Sequence, residues 1–126
     1  MSEAEIPINM EFLGIGSIKA VIYRHISPLS ADAILDKIPC VLRGRFSFGS
    51  KKYWTLMNVG IRKGPNLKAI KNFERGEIVY DPKSDELILI LENLEMSNKM
   101  NKIGKITSNI ELFEKARNGL NCKITK

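Results

Sequence analysis

Short segments in which apolar and polar residues alternate recur along the whole chain, and this pattern restricts the fold more than any other feature. The clearest segment is Cys40 to Phe48, in which Cys40, Leu42, Phe46 and Phe48 share one face. An alternation of period two buries one face of a strand and exposes the other. Because such segments are short and separated by turn residues, the sequence predicts a mainly β protein.

Turn residues divide the chain into about eight strands. Leu87 to Leu91 is apolar on both faces, which predicts a strand covered on both sides. We expect these short strands to form a barrel, because closure of the sheet leaves no strand edge exposed. The predicted strands are Met10–Leu13, Ile18–Tyr23, Cys40–Phe48, Tyr53–Val59, Glu77–Tyr80, Glu86–Leu91, Lys102–Ile106 and Leu120–Ile124.

Two short helices are predicted, from Ser30 to Ile38 and from Asn109 to Arg117. The Ser30 hydroxyl can cap the first helix by accepting an otherwise unpaired backbone N–H. Leu29 before this cap and Ile34 after it have the spacing of a hydrophobic staple. Ser108 and Glu111 have the spacing of a capping box for the second helix. The segments Gly60–Lys71 and Glu92–Lys99 are polar or rich in turn residues and are predicted to be loops.

A chain of 126 residues is expected to form one domain, with residues 1 to 7 as a loose N-terminal tail. No run of about 18 apolar residues is present, so no membrane-spanning helix is expected. The N-terminus also lacks the basic and then apolar pattern of a secretory signal. These features predict a cytoplasmic protein without a membrane partner.

The residues most useful for catalysis and metal binding are scarce. His25 is the single histidine, and it is expected at the surface. Cys40 and Cys122 lie in alternating segments, which favours two buried thiols over a bridge between neighbouring strands. We therefore predict no catalytic group, no metal site and no cofactor.

The positive charge is concentrated in the middle of the chain. Nine basic residues and one acidic residue lie between Arg43 and Arg75, a local net charge of +8 in a chain of net charge +6. An anionic partner on this surface is one interpretation, and a solubilising surface without a partner is the other. The candidate ligand-binding residues are Arg43, Arg45, Tyr53 and Trp54, and the candidate anion-binding residues are Lys51, Lys52, Arg62 and Lys63.

Two segments of the second half carry a family resemblance. Arg75-Gly76-Glu77-Ile78-Val79-Tyr80 and Asn101-Lys102-Ile103-Gly104-Lys105-Ile106 follow each other in an order that resembles the small cyclophilin-like proteins of archaea and bacteria. The resemblance covers roughly residues 8 to 125 and implies a closed cyclophilin-like β-barrel.

The same resemblance implies little chemistry. Prolyl isomerases of the superfamily carry a strand with adjacent Phe, His and Arg, and this run is missing here. Arg43 or Arg45 could occupy the position of the essential arginine, but neither has a matching Gln or His. We therefore expect a module that binds a small ligand or peptide in a surface cleft without isomerase activity. The alternatives are a prolyl isomerase with a reduced site and a basic barrel that binds nucleic acid.

Overall fold

The computed structural model describes residues 5–46, 51–65 and 68–126. These residues form nine strands, one α-helix (α1, Pro28–Lys37) and one 3₁₀ helix (Ile110–Lys115). In chain order the strands are β1 Glu5–Phe12, β2 Gly16–Tyr23, β3 Cys40–Phe46, β4 Tyr53–Leu56, β5 Ile70–Phe73, β6 Glu77–Asp81, β7 Glu86–Ile90, β8 Leu94–Ser108 and β9 Leu120–Thr125.

Eight of these strands form a closed antiparallel barrel. Their order around the barrel is β2, β1, β9, β3, β4, β7, β6 and β8, and β8 pairs with β2 to complete the ring. The predicted mainly β fold, a barrel of about eight strands with two short helices, is confirmed. β5 lies outside the ring and pairs with the first part of β8, through Ile70 opposite Met100 and Phe73 opposite Leu94.

The interior of the barrel is filled by apolar side chains from every strand of the ring. Apolar residues of the predicted strands are among them, including Leu42, Phe46, Ile78, Leu89, Ile103 and Ile124. The indole of Trp54 lies against Gly44, where an added Cβ would overlap the ring. Phe12 and Phe46 meet this indole edge to face, with ring centroids 6.0 Å and 4.9 Å away.

A second apolar cluster lies on the outside of the barrel. Val79, Ile88 and Ile90 point outward from β6 and β7, and Phe73 and Met100 are among the residues that cover them. Leu87 and Leu89 point into the barrel from the same strand. The prediction that the Leu87 to Leu91 segment is covered on both faces is therefore confirmed, and the second cover is the β5–β8 pair.

The first strand and first helix begin earlier than predicted. β1 starts at Glu5 and pairs with β2 from there, so residues 5 to 7 lie in a strand and not in a loose tail. α1 starts at Pro28, which suits the first turn because its missing N–H is not needed there. Ser30 is therefore inside the helix, and its hydroxyl accepts a hydrogen bond from Asn101 instead of capping. Leu29 is highly exposed, so the predicted staple is wrong.

The second helix is shorter than predicted and of the 3₁₀ type. Its N-cap is Asn109, whose backbone is left-handed, and no side chain caps it. The predicted capping box of Ser108 and Glu111 is therefore wrong. The Asn109 side chain donates to the Ser17 carbonyl, which ties the helix to the β1–β2 hairpin.

Two strand segments fall where loops were predicted. β5 begins at Ile70, within the last two residues of the predicted loop Gly60–Lys71, and β8 begins at Leu94, within the predicted loop Glu92–Lys99. Most side chains in these two segments are polar and face outward, so the few apolar residues that reach the second cluster do not give a recognisable strand pattern in the sequence. Within the described ranges, no helix is long and apolar enough to cross a membrane.

Both cysteines are free thiols. Cys40 is half-buried and Cys122 is buried, on the neighbouring strands β3 and β9. Burial raises the pKa of both thiols. The favoured interpretation of two buried thiols therefore holds for Cys122, whereas Cys40 is only half-buried.

Candidate functional site

The four candidate ligand-binding residues do not form one surface. Arg43 and Arg45 are exposed on the outer face of β3. Tyr53 is half-buried and packs against the second cluster. Trp54 is 0% exposed inside the barrel, so its assignment as a ligand contact is wrong. The alternation of β4 explains the difference, because Tyr53 and Trp54 are adjacent and point to opposite faces.

Lys51 and Lys52 lie just before β4, at the end of the barrel near the 3₁₀ helix. The Lys51 ammonium lies 5.2 Å from the centre of the Phe46 ring. Lys51 also lines an open cavity of about 350 Å³ together with Glu92, Glu111 and Glu114. Carboxylates therefore accompany this part of the basic segment, which weakens its attraction for anions.

Arg62 and Lys63 lie beyond the opposite end of β4, in the loop that follows it. The Arg62 N–H donates to a carboxylate oxygen of Asp85 at 2.9 Å, and the Lys63 N–H donates to the Tyr80 hydroxyl at 3.3 Å. β4 thus separates these residues from Lys51 and Lys52. Lys51 and Lys52 therefore lie at one end of β4 and Arg62 and Lys63 beyond the other, while Arg43 and Arg45 lie on the neighbouring strand β3.

A groove at the start of α1 is the best candidate site. It has a volume of about 480 Å³ and is bounded by the β2–α1 connection, the first turn of α1, the loop after β4 and one residue of β8. We call it the α1 groove. Its lining residues are His25, Ile26, Pro28, Leu29, Ser30, Gly64, Pro65, Lys68 and Asn101.

The walls of the α1 groove are mainly apolar. Leu29 is 75% exposed, more than any other large apolar side chain in the described part of the chain. Pro28 and Pro65 lie on the two sides of the groove. Exposed apolar residues that adjoin one another along a concave surface, as Pro28, Leu29 and Pro65 do here, are a feature of ligand-binding grooves.

Asn101 connects the two sides of the groove. Its side chain is 0% exposed. Its amide group donates at 3.0 Å to the Ser30 hydroxyl of α1 and at 3.0 Å to the Gly64 carbonyl of the loop. Since a buried amide without partners would be costly, these bonds fix the helix and the loop relative to each other.

The loop itself is held by the buried carboxylate of Asp85. Asp85 accepts hydrogen bonds from the Tyr80 hydroxyl at 2.6 Å, the Gly60 N–H at 2.7 Å and the Arg62 N–H at 2.9 Å. Burial acts to raise the pKa of Asp85, but hydrogen bonds from Tyr80, Arg62 and Gly60 outweigh it, and the pKa lies below its ordinary value. Burial and the bond to Asp85 raise the pKa of Tyr80 to about 12.

None of the residues that build the α1 groove was predicted as a site residue. Leu29 matched a staple and Ser30 matched a cap, so local helix rules assigned both to structure. Asn101 had one usable signal, because it is a polar residue directly before the alternating strand Lys102–Ile106. Its partners are far away in sequence and could not be identified from spacing. Across the described residues, no three His, Cys, Asp or Glu side chains cluster as metal ligands would.

No protein-family model matches this sequence, and no curated protein matches it significantly. Solved structures match the fold. A hypothetical protein of Archaeoglobus fulgidus has a TM-score of 0.75 and 16% identity, covering 99% of this chain and 98% of that one. McbB in complex with tryptophan has a TM-score of 0.76 and 10% identity, covering 94% of this chain and 44% of McbB. A cyclophilin of Mimivirus has a TM-score of 0.61 and 11% identity, covering 100% of this chain and 89% of that one. Because the sequence identities are this low, the similarity extends to the fold alone, which is a cyclophilin-like barrel.

Proposed function

We propose that this protein is a cyclophilin-like module that binds a small ligand or peptide in the α1 groove and has no prolyl isomerase activity. The observation that carries the proposal is the position of Leu29. This side chain is exposed beside a groove whose two walls are joined by a fully buried amide, that of Asn101.

Preorganisation supports the proposal. A site whose walls are already fixed loses less conformational entropy when it binds than a site that must be ordered. Here the hydrogen bonds of Asn101 fix the α1 wall against Gly64, and Asp85 fixes the loop between Gly60 and Arg62. The groove also lies within the size range of small-molecule sites, about 300 to 1,000 Å³.

A related fold with a small ligand is a second support. McbB, of which 44% aligns with this chain, was solved in complex with tryptophan. Tryptophan combines an apolar ring with charged groups, and the α1 groove combines apolar walls with two basic side chains, His25 and Lys68. Tryptophan is therefore a suitable first probe.

The prolyl isomerase alternative has less support. The outer barrel face next to Arg45 is formed by β4 and β7, and Ile88 and Ile90 on that face are buried under the second cluster. Isomerisation requires a donor aimed at the developing charge in an accessible cleft. We expect no turnover of a proline test peptide. Turnover that disappears in Arg45→Ala would support the isomerase instead.

The nucleic-acid alternative required a continuous basic face. The predicted anion-binding residues lie at opposite ends of β4, and Lys51 has carboxylates beside it, so the structure gives less support to one continuous basic patch. Retention on a nucleic-acid column that falls steeply with salt and is lost in Arg43→Glu with Arg45→Glu would favour this alternative over ours.

Titration of ¹⁵N-labelled protein with tryptophan and with a short proline-containing peptide tests the proposal. We expect chemical shift changes at the backbone amides of His25, Leu29 and Lys68 with at least one probe. Leu29→Ser should reduce these changes without lowering stability, because the side chain is exposed. Leu13→Ser is the matched control, since Leu13 is also exposed and lies outside the groove. Shift changes confined to other surfaces would refute the proposed site.

A further inference from the structure

Building on the proposed function, we infer that the ligand of the α1 groove is a small molecule with an apolar body and one carboxylate group. Two independent properties of the groove point to such a ligand, the composition of its walls and the sign of its charge.

The walls define the apolar body. Leu29 and Ile26 come from the β2–α1 side, and Pro65 comes from the facing loop. A planar or branched hydrocarbon placed between them covers Leu29, which water otherwise contacts. Burial of apolar surface contributes about 25 cal/mol per Å² to such an association. The groove therefore selects for an aromatic or branched aliphatic group and not for a sugar or another strongly polar body.

The sign of the charge defines the polar group. Among the described residues that line the groove, the ionisable ones are His25 and Lys68, and none is a carboxylate. A ligand carboxylate would lie beside the Lys68 ammonium, whereas a ligand ammonium would meet repulsion. The groove is open to solvent, so one such pair contributes little, about 0.2–1 kcal/mol. This corresponds to a preference of up to about fivefold for the carboxylate over a neutral analogue.

A series of three probes isolates the contribution of the charge. 3-Phenylpropionate, 3-phenylpropanamide and 3-phenylpropylamine share one apolar body and differ in charge. Dissociation constants from NMR titrations at low salt should rank the carboxylate tightest and the amine weakest. The difference between carboxylate and amide should shrink as salt rises, because salt screens exposed charges.

Two variants then assign the effects to residues. Lys68→Gln should abolish the difference in affinity between the carboxylate and the amide. Leu29→Ser should weaken all three probes alike. Lys115→Gln is the control for Lys68, because Lys115 is exposed on the 3₁₀ helix and does not line the groove.

Each outcome decides the inference. A carboxylate preference that depends on Lys68 supports it. Equal binding of carboxylate and amide, or a preference that survives Lys68→Gln, overturns it and leaves the proposed binding site intact. If no probe produces shift changes at the groove residues, this inference and the proposed function are both wrong.

Discussion

Replacement of Asp85 by Asn tests whether one carboxylate holds the loop that forms a wall of the α1 groove. Asp85 has a left-handed backbone, with φ of 58°, and is 7% exposed. Asn tolerates this backbone conformation as well as Asp does, so the substitution adds no backbone strain. Only the hydrogen bonds and the charge change.

The magnitude follows from the three bonds that the carboxylate accepts. One oxygen accepts from Tyr80 and Arg62, and the other accepts from Gly60. The amide of Asn keeps one acceptor oxygen and presents an NH₂ donor where the second oxygen was. If the NH₂ group replaces the second oxygen, the Gly60 N–H loses its acceptor, and the Tyr80 hydroxyl and the Arg62 N–H keep only a neutral one. If it replaces the first oxygen, Tyr80 and Arg62 lose their acceptor. Hydrogen bonds to charged groups contribute about 1.5–3 kcal/mol each. We expect Asp85→Asn to lower the free energy of unfolding by about 2–4 kcal/mol.

Urea denaturation at several pH values measures this loss and its cause. The native pKa of Asp85 is below its ordinary value of about 3.9, so the stabilisation is complete at neutral pH and is lost as the pH falls through the native pKa. The difference in free energy of unfolding between the unsubstituted protein and Asp85→Asn should therefore become smaller below about pH 4. Asp36→Asn, on the exposed face of α1, is the control and should change stability by no more than about 0.5 kcal/mol. The role of the carboxylate would be refuted if Asp85→Asn lowered the free energy of unfolding by less than about 1 kcal/mol at pH 7. It would also be refuted if this difference did not change with pH.

Three further substitutions test the barrel. Gly44→Ala should displace Trp54, because an added Cβ overlaps its indole, and should shift the emission of this single tryptophan to longer wavelength; an unchanged spectrum would contradict the packing. Leu89→Ala should cost about 2–5 kcal/mol in urea denaturation, and a loss below about 1 kcal/mol would place Leu89 at the surface. Since the pKa of Tyr80 is raised to about 12, its stabilisation is present below about pH 10 and is lost as the pH rises towards 12. Tyr80→Phe should lack this alkaline loss, of at most about 1.4 kcal/mol per pH unit, and an identical pH profile would argue against the Tyr80–Asp85 bond.

The barrel could be predicted from the sequence because its determinants are local. Alternation along β3 placed Leu42 and Phe46 inside and Arg43 and Arg45 outside, as the structure shows for the described part of that strand. The apolar residues on both faces of β7 correctly predicted two covers. What the pattern could not reveal was that the second cover is β5, because β5 contributes one buried side chain, Phe73, among three exposed residues.

The site could not be predicted because its determinants are distant in sequence. Asn101 lies 71 positions from Ser30 and 37 from Gly64, and no spacing rule connects them. The density of charge along the chain was also a poor guide to the site. It drew attention to the segment from Arg43 to Arg75, but the strands distribute these residues over both ends of the barrel. A count of charges along the chain predicts a patch only when the elements that carry them lie side by side.

The outer cover formed by β5 and β8 also bears on where this barrel can bind. The face of β4 and β7 beside Arg45 is closed by Phe73, Met96 and Met100, so a ligand could reach Ile88 and Ile90 only if this cover separated from the barrel. Such separation would expose the whole second cluster to water, at about 25 cal/mol per Å² of apolar surface. The α1 groove needs no such opening, because Leu29 is already exposed and the bonds of Asn101 already fix both walls. On energetic grounds, binding at the start of α1 is therefore favoured over binding on the outer face of β4 and β7.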